Sequence, residues 1–378
     1  MDLLNIGVIA KSLKENERRV PIHPGQLTWI PEEIRKHLTF EHGYGVPFGF
    51  NNSRLAGLCG RLADREQILK ESDIVLISKP LLKDFQSIKE NGIHWGWAHV
   101  VQQEDLAQVA IDNKLTLITW ESMNTSTPSG RLSHIFYKNN EIAGYAGVMH
   151  ALSLTGSDGH YGPRRKAVVI HFGSVSHGAI HALQGRGIHD IYVYVVNPIA
   201  MVINQVPGVF YRQIIKDDAD QLYVQNPDGS EQPFIDDLSE ADIIVNGIMQ
   251  DTDNPLTFVH ENEINRLKPG TLIIDISCDE GMGFSFAKPT TFENPMFMVG
   301  DIHYYAVDHT PSYLWNSATW EISKSLIPFL PTVMQGPDAW DKDEVIRQAI
   351  EIRSGKVLNE KILNFQKRAA EYPHEFRD

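Results

Sequence analysis

Short apolar segments rich in β-branched residues alternate with longer amphipathic segments along most of the chain. This alternation is typical of β-α-β units, whose strands form a mostly parallel sheet. In the first third, residues 104–113 have the pattern of a helix, and strand-like segments lie at residues 5–10, 38–41, 74–78, 94–98 and 115–119. The pattern predicts an α/β fold in which functional side chains follow the carboxyl ends of the strands.

A second strand series follows a helical segment at residues 140–154. Its members lie at residues 166–172, 191–196, 243–246, 271–275 and 296–299. Five strands with intervening helices predict a doubly wound domain of the nucleotide-binding kind. Residues 317–330 and the charged stretch from Asp341 onward are predicted to be helical. If the 317–330 helix returns to the first domain, that domain is built from two separated segments.

Composition narrows the classes of function. A length of 378 residues fits two domains, and 34 Lys and Arg against 48 Asp and Glu give a net charge of −14, which argues against a nucleic-acid partner. Two cysteines, Cys59 and Cys278, exclude a disulfide scaffold. The N-terminus has the pattern of a strand and not of a signal peptide, and no run approaches the roughly 18 apolar residues of a membrane helix. We therefore expect a cytoplasmic protein with small-molecule partners.

One strand-turn-helix motif favours a phosphate site. It reads KAVVIHFGSVSHGA at residues 166–179, and its turn would let backbone amides and a helix N-terminus meet a pyrophosphate. In a GxGxxG pattern, His171 and Ser176 replace the first and third glycines, which leaves Gly173 and Gly178. The spacing alone is equally typical of an ordinary strand-to-helix turn. Its place at the head of the second strand series favours a dinucleotide.

Three further positions in the first domain have side chains suited to chemistry. Arg18 and Arg19 lie in a charged loop and offer a fork to a carboxylate, although a charge run is commonly just a solvated loop. Lys79 and His99 each follow a predicted strand, where parallel sheets place their ligands. A single histidine is more often structural than catalytic, but Lys79 and His99 together at two strand ends favour a site.

Two polar motifs follow late strands: DISCDEGMG at residues 275–283 and DIHYYAVDHTPS at residues 301–312. They suit either polar surface loops or loops that approach a ligand. A metal site is an alternative that would use Asp279, Asp301, His303, Asp308 and His309, but none of their spacings matches HExxH or a similar ligand pattern. No metal is predicted.

Together these motifs resemble the family of alanine dehydrogenase, the transhydrogenase nucleotide domains and lysine-forming saccharopine dehydrogenase, over nearly the whole chain. ERRVPIHP at 17–24 resembles the family's N-terminal Glu-x-Arg-Val motif, GYGVPFGF at 43–50 its Gly-rich segment, and DIVLISKP at 73–80 its lysine strand. VNGIMQDTDNPL at 245–256, SCDEGMGFS at 277–285 and VDHTPS at 307–312 are similar to the carboxyethylornithine synthase branch. The last segment is also similar to saccharopine dehydrogenase.

The resemblance implies two Rossmann-like doubly wound domains with a cleft between them. Residues 1–139 plus 311–378 would form the substrate domain, and residues 140–310 the nicotinamide dinucleotide domain. By position, Arg19 matches the arginine that binds the keto-acid carboxylate, Lys79 the lysine beside the carbonyl, His99 the general acid/base and Asp279 the aspartate near the nicotinamide. The residues expected to contact the cofactor are Gly173, Ser174, Val175, Ser176, His177, Gly178, Asn197, Asn246 and Asp279.

The resemblance further implies an NAD(P)H-dependent oxidoreductase that condenses an amino acid with a 2-keto acid and reduces the imine to a secondary amine. A homo-oligomer is compatible with it. Alanine dehydrogenase, which uses pyruvate and ammonia, is the alternative within the family. A third hypothesis is a binding protein without catalysis, because the side chain of His171 could crowd the pyrophosphate.

Cofactor choice depends on the end of the predicted strand 191–196. An acidic residue there would bind the ribose hydroxyls of NAD and repel the phosphate of NADP, but this strand ends in Asn197 and Pro198. The nearest cations are His177 and Arg212. We therefore expect NADPH to be preferred, with a preference that sharpens as His177 protonates. The alternative is that Asn197 binds the ribose hydroxyls and NADH serves as well or better.

Overall fold

The computed structural model describes residues 3–126, 132–218, 221–226, 228–250 and 255–377. The chain divides into two compact units. Unit 1 comprises Met1–Tyr137 and Trp315–Asp378, and unit 2 comprises Lys138–Leu314. Both units are built on the α/β pattern that the sequence predicts. No helix in the described ranges is long and apolar enough to cross a membrane.

The strands are numbered in chain order. The first part of unit 1 holds β1 (Ile6–Val8), β2 (Leu38–Glu41), β3 (Arg61–Ala63), β4 (Ile74–Leu76), β5 (Ile93–Gly96), β6 (Thr116–Thr119), β7 (Asn124–Ser126) and β8 (Leu132–His134). Unit 2 holds β9 (Lys166–Ile170), β10 (Asp190–Val195), β11 (Phe210–Lys216), β12 (Leu222–Gln225), β13 (Glu231–Pro233), β14 (Ile243–Asn246), β15 (Thr257–Val259), β16 (Leu272–Asp275), β17 (Gly283–Phe284), β18 (Met296–Val299) and β19 (Ile302–Tyr305). The last part of unit 1 adds β20 (Ile350–Arg353) and β21 (Lys356–Val357).

The helices are numbered in the same way. They are α1 (Glu32–Arg35), α2 (Asn52–Ala56), α3 (Arg65–Glu71), α4 (Leu82–Ser87), α5 (Glu104–Asp112), α6 (Tyr137–Leu154), α7 (Ser174–Gly185), α8 (Phe234–Ser239), α9 (Trp315–Leu326), α10 (Leu330–Met334), α11 (Pro337–Trp340), α12 (Glu344–Ala349) and α13 (Glu360–Phe365). Short 3₁₀ turns lie at Pro24–Trp29 and Trp120–Ser122 of unit 1.

The main sheet of unit 1 has the strand order β21-β20-β6-β5-β4-β1-β2-β3. Strands β1 to β6 are parallel, whereas β20 and β21 are added antiparallel at one edge. Both faces are buried: Ile74 and Leu76 of β4 join one apolar cluster and Val75 joins the other. Burial on both faces explains why β4 appears in the sequence as a continuous apolar run.

The main sheet of unit 2 has the order β13-β12-β11-β10-β9-β14-β16-β19-β18. Its central strands β11, β10, β9, β14, β16 and β19 are parallel, and β12, β13 and β18 are antiparallel at the two edges. Val169 of β9 contributes to one apolar cluster, while Val168 and Ile170 contribute to the other. The prediction of two doubly wound parallel sheets is confirmed.

Two details of the prediction are wrong. The segment 296–299 is a strand, but it lies antiparallel at the sheet edge, and the outermost parallel strand on that side of the sheet is β19, inside a motif expected to be loops. The polar residues around β19 concealed its buried pair Ile302 and Tyr304. The tail after Asp341 is only partly helical, because the buried β-branched residues Ile350 and Ile352 form β20.

Candidate active site

The carboxyl ends of four parallel strands carry the candidate residues of unit 1. Strand β1 lies between β2 and β4, so the chain order of the strands reverses between β1 and β4, the point where doubly wound sheets bind ligands. The loop after β1 carries Arg19, and Lys79, His99 and Glu121 follow β4, β5 and β6. The three substrate residues predicted from the sequence therefore all lie at the carboxyl ends of the parallel strands of this sheet.

Arg19 forms a buried ion pair with Glu17. Its Nε donates to Glu17 Oε1 at 2.8 Å and its Nη2 to Oε2 at 2.5 Å, and its side chain is 3% exposed. The guanidinium also lies 4.9 Å from the centre of the Trp97 ring. Burial raises the pKa of Glu17, but the charge and hydrogen bonds of Arg19 and the charge of Lys79 outweigh it and lower the pKa to about 2.

A side-chain hydrogen bond joins the Arg19 loop to the strand end that carries Lys79. The buried Ser12 hydroxyl donates to the Lys79 carbonyl and accepts from the Lys14 amide. At the start of the loop, Arg65 Nη1 donates to the Lys11 carbonyl at 2.7 Å. The orientation of the Arg19 loop is therefore fixed by contacts that the motif at residues 17–24 does not contain.

His99 and Glu121 lie in direct contact. The His99 amide donates to Glu121 Oε1 at 2.7 Å, and His99 Nδ1 lies 3.2 Å from the same oxygen. His99 has a left-handed backbone, with φ of 48°, and its side chain is 43% exposed. An exposed imidazole beside a carboxyl group has the arrangement that proton transfer requires.

Glu121 is a candidate residue that the sequence reasoning missed. Burial raises the pKa of its carboxyl to about 8 and the charge of Glu351 adds to the rise, while the His99 amide and the charge of Lys79 oppose it. Its Oε2 is buried without a hydrogen-bond partner in the described residues. The signal was present, because Glu121 follows the predicted strand 115–119 just as Lys79 and His99 follow theirs.

Replacing Glu121 by glutamine is expected to stabilise the protein in alkaline solution. Because the pKa of Glu121 is raised in the folded protein, the stability that its carboxyl contributes is fully present below pH 4.5. This stability is lost as pH rises through about 8. Glutamine has no such loss, so its advantage should grow by up to about 1.4 kcal/mol per pH unit across that interval. Urea unfolding of both proteins below pH 4.5 and above pH 8 measures this. A difference in unfolding free energy that does not vary with pH would contradict the raised pKa of Glu121.

In unit 2, the predicted phosphate turn joins β9 to α7. Gly173 is the N-cap of the 12-residue α7, and no side chain caps this helix end or places an acid in its first turn. A Cβ built on Gly173 would meet only the His171 ring, at 3.8 Å or more. Uncapped amides and open space at a helix N-terminus fit the pyrophosphate of a dinucleotide.

His171 has a backbone conformation that favours glycine, the residue that the GxGxxG pattern has at this position. Its φ is 68°, which glycine adopts without steric cost and which costs a histidine of order 1 kcal/mol. The His171 amide donates to the Tyr194 carbonyl at 2.7 Å. The residue also lines a small cavity with apolar neighbours such as Val196 and Leu256.

Two of the predicted cofactor residues are buried in unit 2. A Cβ on Gly178 would lie 1.7 Å from the Glu141 carbonyl oxygen of α6, so glycine lets the two helices approach closely. Ser176 is fully buried, and its hydroxyl has no hydrogen-bond partner in the described ranges. Ser174, Val175 and His177 occupy the remaining positions of the first helical turn.

Asn246 and Asp275 form a buried network at the carboxyl ends of β14 and β16. Asn246 Nδ2 donates to Asp275 Oδ1 at 3.0 Å, and the Tyr304 hydroxyl donates to Asp275 Oδ2 at 2.6 Å. Burial raises the pKa of Asp275 to about 6 against these hydrogen bonds. The network fixes the turn that leads to the half-buried Asp279, whose pKa is also raised by burial. The sequence reasoning did not single out Asp275 as the centre of this turn.

Neither predicted cation is suited to a phosphate near Asn197, which is exposed after β10. Burial lowers the pKa of His177; the charge of Glu141 opposes this, and His181 and Lys138 lower it further. His177 is therefore mostly neutral at neutral pH. Arg212 Nη1 is paired with Asp237 at 3.0 Å. The expectation that a preference for NADPH sharpens as pH falls and His177 protonates stays a prediction.

No group of three or more His, Cys, Asp or Glu side chains in the described part of the chain could hold a metal ion. The motif at residues 245–256 is described only in part, since its residues 251–254 lie outside the described ranges.

Comparison with known proteins assigns both parts of the chain. Residues 8–143 match the model of the alanine dehydrogenase/PNT N-terminal domain, and residues 155–360 match that of the C-terminal domain. The N(5)-(carboxyethyl)ornithine synthase of Clostridium botulinum is 27% identical over 322 residues, which cover 81% of this chain and 90% of that protein. The alanine dehydrogenase of Bacillus subtilis is 23% identical over 333 residues, or 85% of this chain and 83% of that protein.

Solved structures show the same fold. An L-alanine dehydrogenase matches with a TM-score of 0.76 at 17% identity, covering 96% of this chain and 99% of that one. A transhydrogenase from Sinorhizobium meliloti matches with a TM-score of 0.73 at 16% identity, covering 93% and 99%. The chain belongs to the alanine dehydrogenase/PNT family, and the prediction of an oxidoreductase of that family is confirmed.

Proposed function

We propose that this protein catalyses the reductive condensation of an amino acid with a 2-keto acid to a secondary amine, with a reduced nicotinamide dinucleotide as the hydride donor. The observation that carries the proposal is the convergence of Arg19, Lys79 and His99 at the carboxyl edge of one sheet, with Glu121 against His99. The similarity to proteins named N(5)-(carboxyethyl)ornithine synthase supports the secondary-amine product.

Unit 1 is proposed as the substrate domain and unit 2 as the cofactor domain. The uncapped N-terminus of α7 after Gly173 fits a pyrophosphate. Asn246 is the last residue of β14, while Asn197 and Asp279 follow β10 and β16. The bound dinucleotide would supply the hydride. Asp279 is proposed to lie near the nicotinamide.

The residues of unit 1 would carry the proton chemistry. Arg19, oriented by Glu17, binds the keto-acid carboxylate, and the Lys79 ammonium polarises the carbonyl oxygen. The amino group of the amino acid adds to the carbonyl carbon and gives a carbinolamine. His99 then donates a proton to the departing hydroxyl, so that water leaves and an iminium forms. Hydride addition to the iminium carbon gives the secondary amine.

The test is a survey of substrate pairs, each made of one keto acid and one amino acid. Purified protein is mixed with reduced cofactor, pyruvate or 2-oxoglutarate, and each of a panel of amino acids, and cofactor oxidation is followed by absorbance. The proposal predicts turnover that requires both an amino acid and a keto acid. Turnover with pyruvate and ammonia alone would favour alanine dehydrogenase, the name that other relatives carry.

A cofactor titration addresses the hypothesis of a binding protein without catalysis. We expect the fluorescence of the protein to change on addition of NADH or NADPH, because the turn after β9 leaves Gly173 open. Absence of binding at millimolar concentrations would support the view that His171 crowds the pyrophosphate.

For cofactor choice, we propose that NADPH is preferred only modestly, because the loop after β10, residues 196–209, contains neither an acid that would repel its phosphate nor a lysine or arginine that would bind it. Replacing Asn197 by aspartate is expected to reverse the preference. The new carboxylate would bind the ribose hydroxyls of NADH and repel the phosphate of NADPH, which should shift the ratio of kcat/KM values toward NADH at least about tenfold.

The measurement compares both cofactors in the wild type, in Asn197→Asp and in Asn204→Asp. Asn204 lies in the same loop after β10 and is exposed, so its variant controls for added charge. A strong NADH preference already present in the wild type, or an equal shift in both variants, would contradict the role of Asn197.

A further inference from the structure

The segment 366–377, which follows α13, folds into a hairpin with a polar interior. The Ala369 amide donates to the Glu375 carbonyl and the Arg377 amide to the Lys367 carbonyl, both at 2.7 Å. Most of its side chains are exposed, yet Gln366, Arg368 and His374 are buried. Burial of polar side chains is costly unless their hydrogen bonds are made. The hydrogen-bond partners of these three residues therefore show which parts of the chain the hairpin is attached to.

Arg368 is the centre of the hairpin. Its Nε donates to Gln366 Oε1 at 2.7 Å, and its Nη1 donates to Gln108 Oε1 at 2.7 Å and to the His374 carbonyl at 3.2 Å. Within the described residues, it forms no ion pair. Directional hydrogen bonds to neutral acceptors therefore set the orientation of the guanidinium. The guanidinium in turn holds the side-chain amide of Gln366 in one orientation.

The other end of the Gln366 amide points to the turn that carries His99. Gln366 Nε2 donates to the carbonyl oxygens of Val100 at 2.7 Å and Val101 at 3.2 Å. The same turn is closed by the Gln102 amide, which donates to the His99 carbonyl at 3.2 Å. His99 itself has the unfavourable left-handed backbone, which persists only where neighbouring contacts hold it.

We infer that Gln366, held by Arg368, is a positioning residue that fixes the turn of His99. Its two hydrogen bonds to Val100 and Val101 keep this turn in the conformation that directs the His99 amide and ring toward Glu121. The effect expected on kcat rests on the proposed function of His99. The hydrogen bonds from the hairpin to the turn do not depend on that proposal.

The variant that isolates this contact is Gln366→Glu. The new carboxylate keeps an acceptor for Arg368 and gains an ion pair with it, which supports the hairpin. It removes the donor to Val100 and Val101 and places negative charge against their carbonyl oxygens. Lys367→Glu is the matched control, because Lys367 is the exposed neighbour in the same hairpin.

Two readouts test the inference. First, the rate at which diethylpyrocarbonate modifies His99, measured by peptide mass spectrometry, is expected to rise at least about threefold in Gln366→Glu, since a released ring reacts more freely. Second, kcat is expected to fall about tenfold while the KM of the keto acid stays within about twofold, because a small displacement of a catalytic group affects the transition state most. Lys367→Glu should match the wild type in both readouts.

Unchanged His99 modification in a folded Gln366→Glu protein would overturn the inference, as would equal changes in Lys367→Glu. If Gln366→Glu does not fold, Gln366→Met removes the donor with little change of volume, and the same outcomes apply to it. The modification rate does not require turnover. A failed amination assay with faster His99 modification would therefore reject the proposed function and keep the positioning role.

Discussion

Replacing His99 by alanine is expected to lower the turnover number about a thousandfold, within the range that general acid/base groups contribute. The KM of the keto acid should change little, because Arg19 and Lys79 belong to loops after other strands. Proton donation to the departing hydroxyl strengthens only in the transition state, so its loss appears in kcat.

Steady-state kinetics at saturating cofactor measure this effect, with His189→Ala as the control. His189 is exposed and lies before β10, outside the candidate residues. A His99→Ala enzyme that keeps most of its turnover would remove His99 from the mechanism. Partial recovery of the variant by added imidazole would show that the missing group is the ring itself.

Replacing Arg19 by methionine is expected to lower the free energy of unfolding by about 3 to 5 kcal/mol at neutral pH, because the buried Glu17 carboxylate would lose its partner. In the wild type, the depressed pKa of Glu17 contributes stability that is present above pH 4.5 and is lost as pH falls through about 2. The difference in unfolding free energy between the wild type and the variant should therefore become smaller below pH 4.5.

A second substitution separates the charge from the packing. The double variant Glu17→Gln/Arg19→Met should recover much of the lost stability, since a neutral amide is cheaper to bury than an unpaired carboxylate. Arg18→Met, at the exposed neighbour, should cost less than about 1 kcal/mol. Chemical unfolding of the four proteins checks this. A double variant no more stable than Arg19→Met would show that Glu17 is not the source of the loss.

Much of the arrangement follows from simple rules applied to the sequence. Strands buried on both faces appear as continuous apolar runs, so the predicted segments at 74–78 and 243–246 contain β4 and β14. Because the carboxyl ends of parallel strands lie at the same side of a sheet, Lys79 and His99 could be grouped although they are 20 residues apart in the sequence. Glu121 obeys the same rule, because it follows the predicted strand 115–119, and the same argument would have added it to the group.

Other features depend on contacts between distant parts of the chain. The role of Gly178 is set by Glu141 of α6, and the weak basicity of His177 is set by burial and by neighbours on two helices. Gln366 contacts Val100 across 266 sequence positions. Such relations have no local signature, since neither the spacing nor the type of these residues indicates their partners.

The measurement that tests the central claim most directly is the mass of the product. Reaction of the protein with reduced cofactor, a 2-keto acid and an amino acid labelled with heavy nitrogen should give one compound with the carbon skeletons of both substrates, the heavy nitrogen, and the mass expected after loss of water and gain of two hydrogens. His99→Ala should give almost none of it. A product that contains only the keto-acid skeleton, with nitrogen taken from added ammonium, would contradict the proposed secondary-amine chemistry.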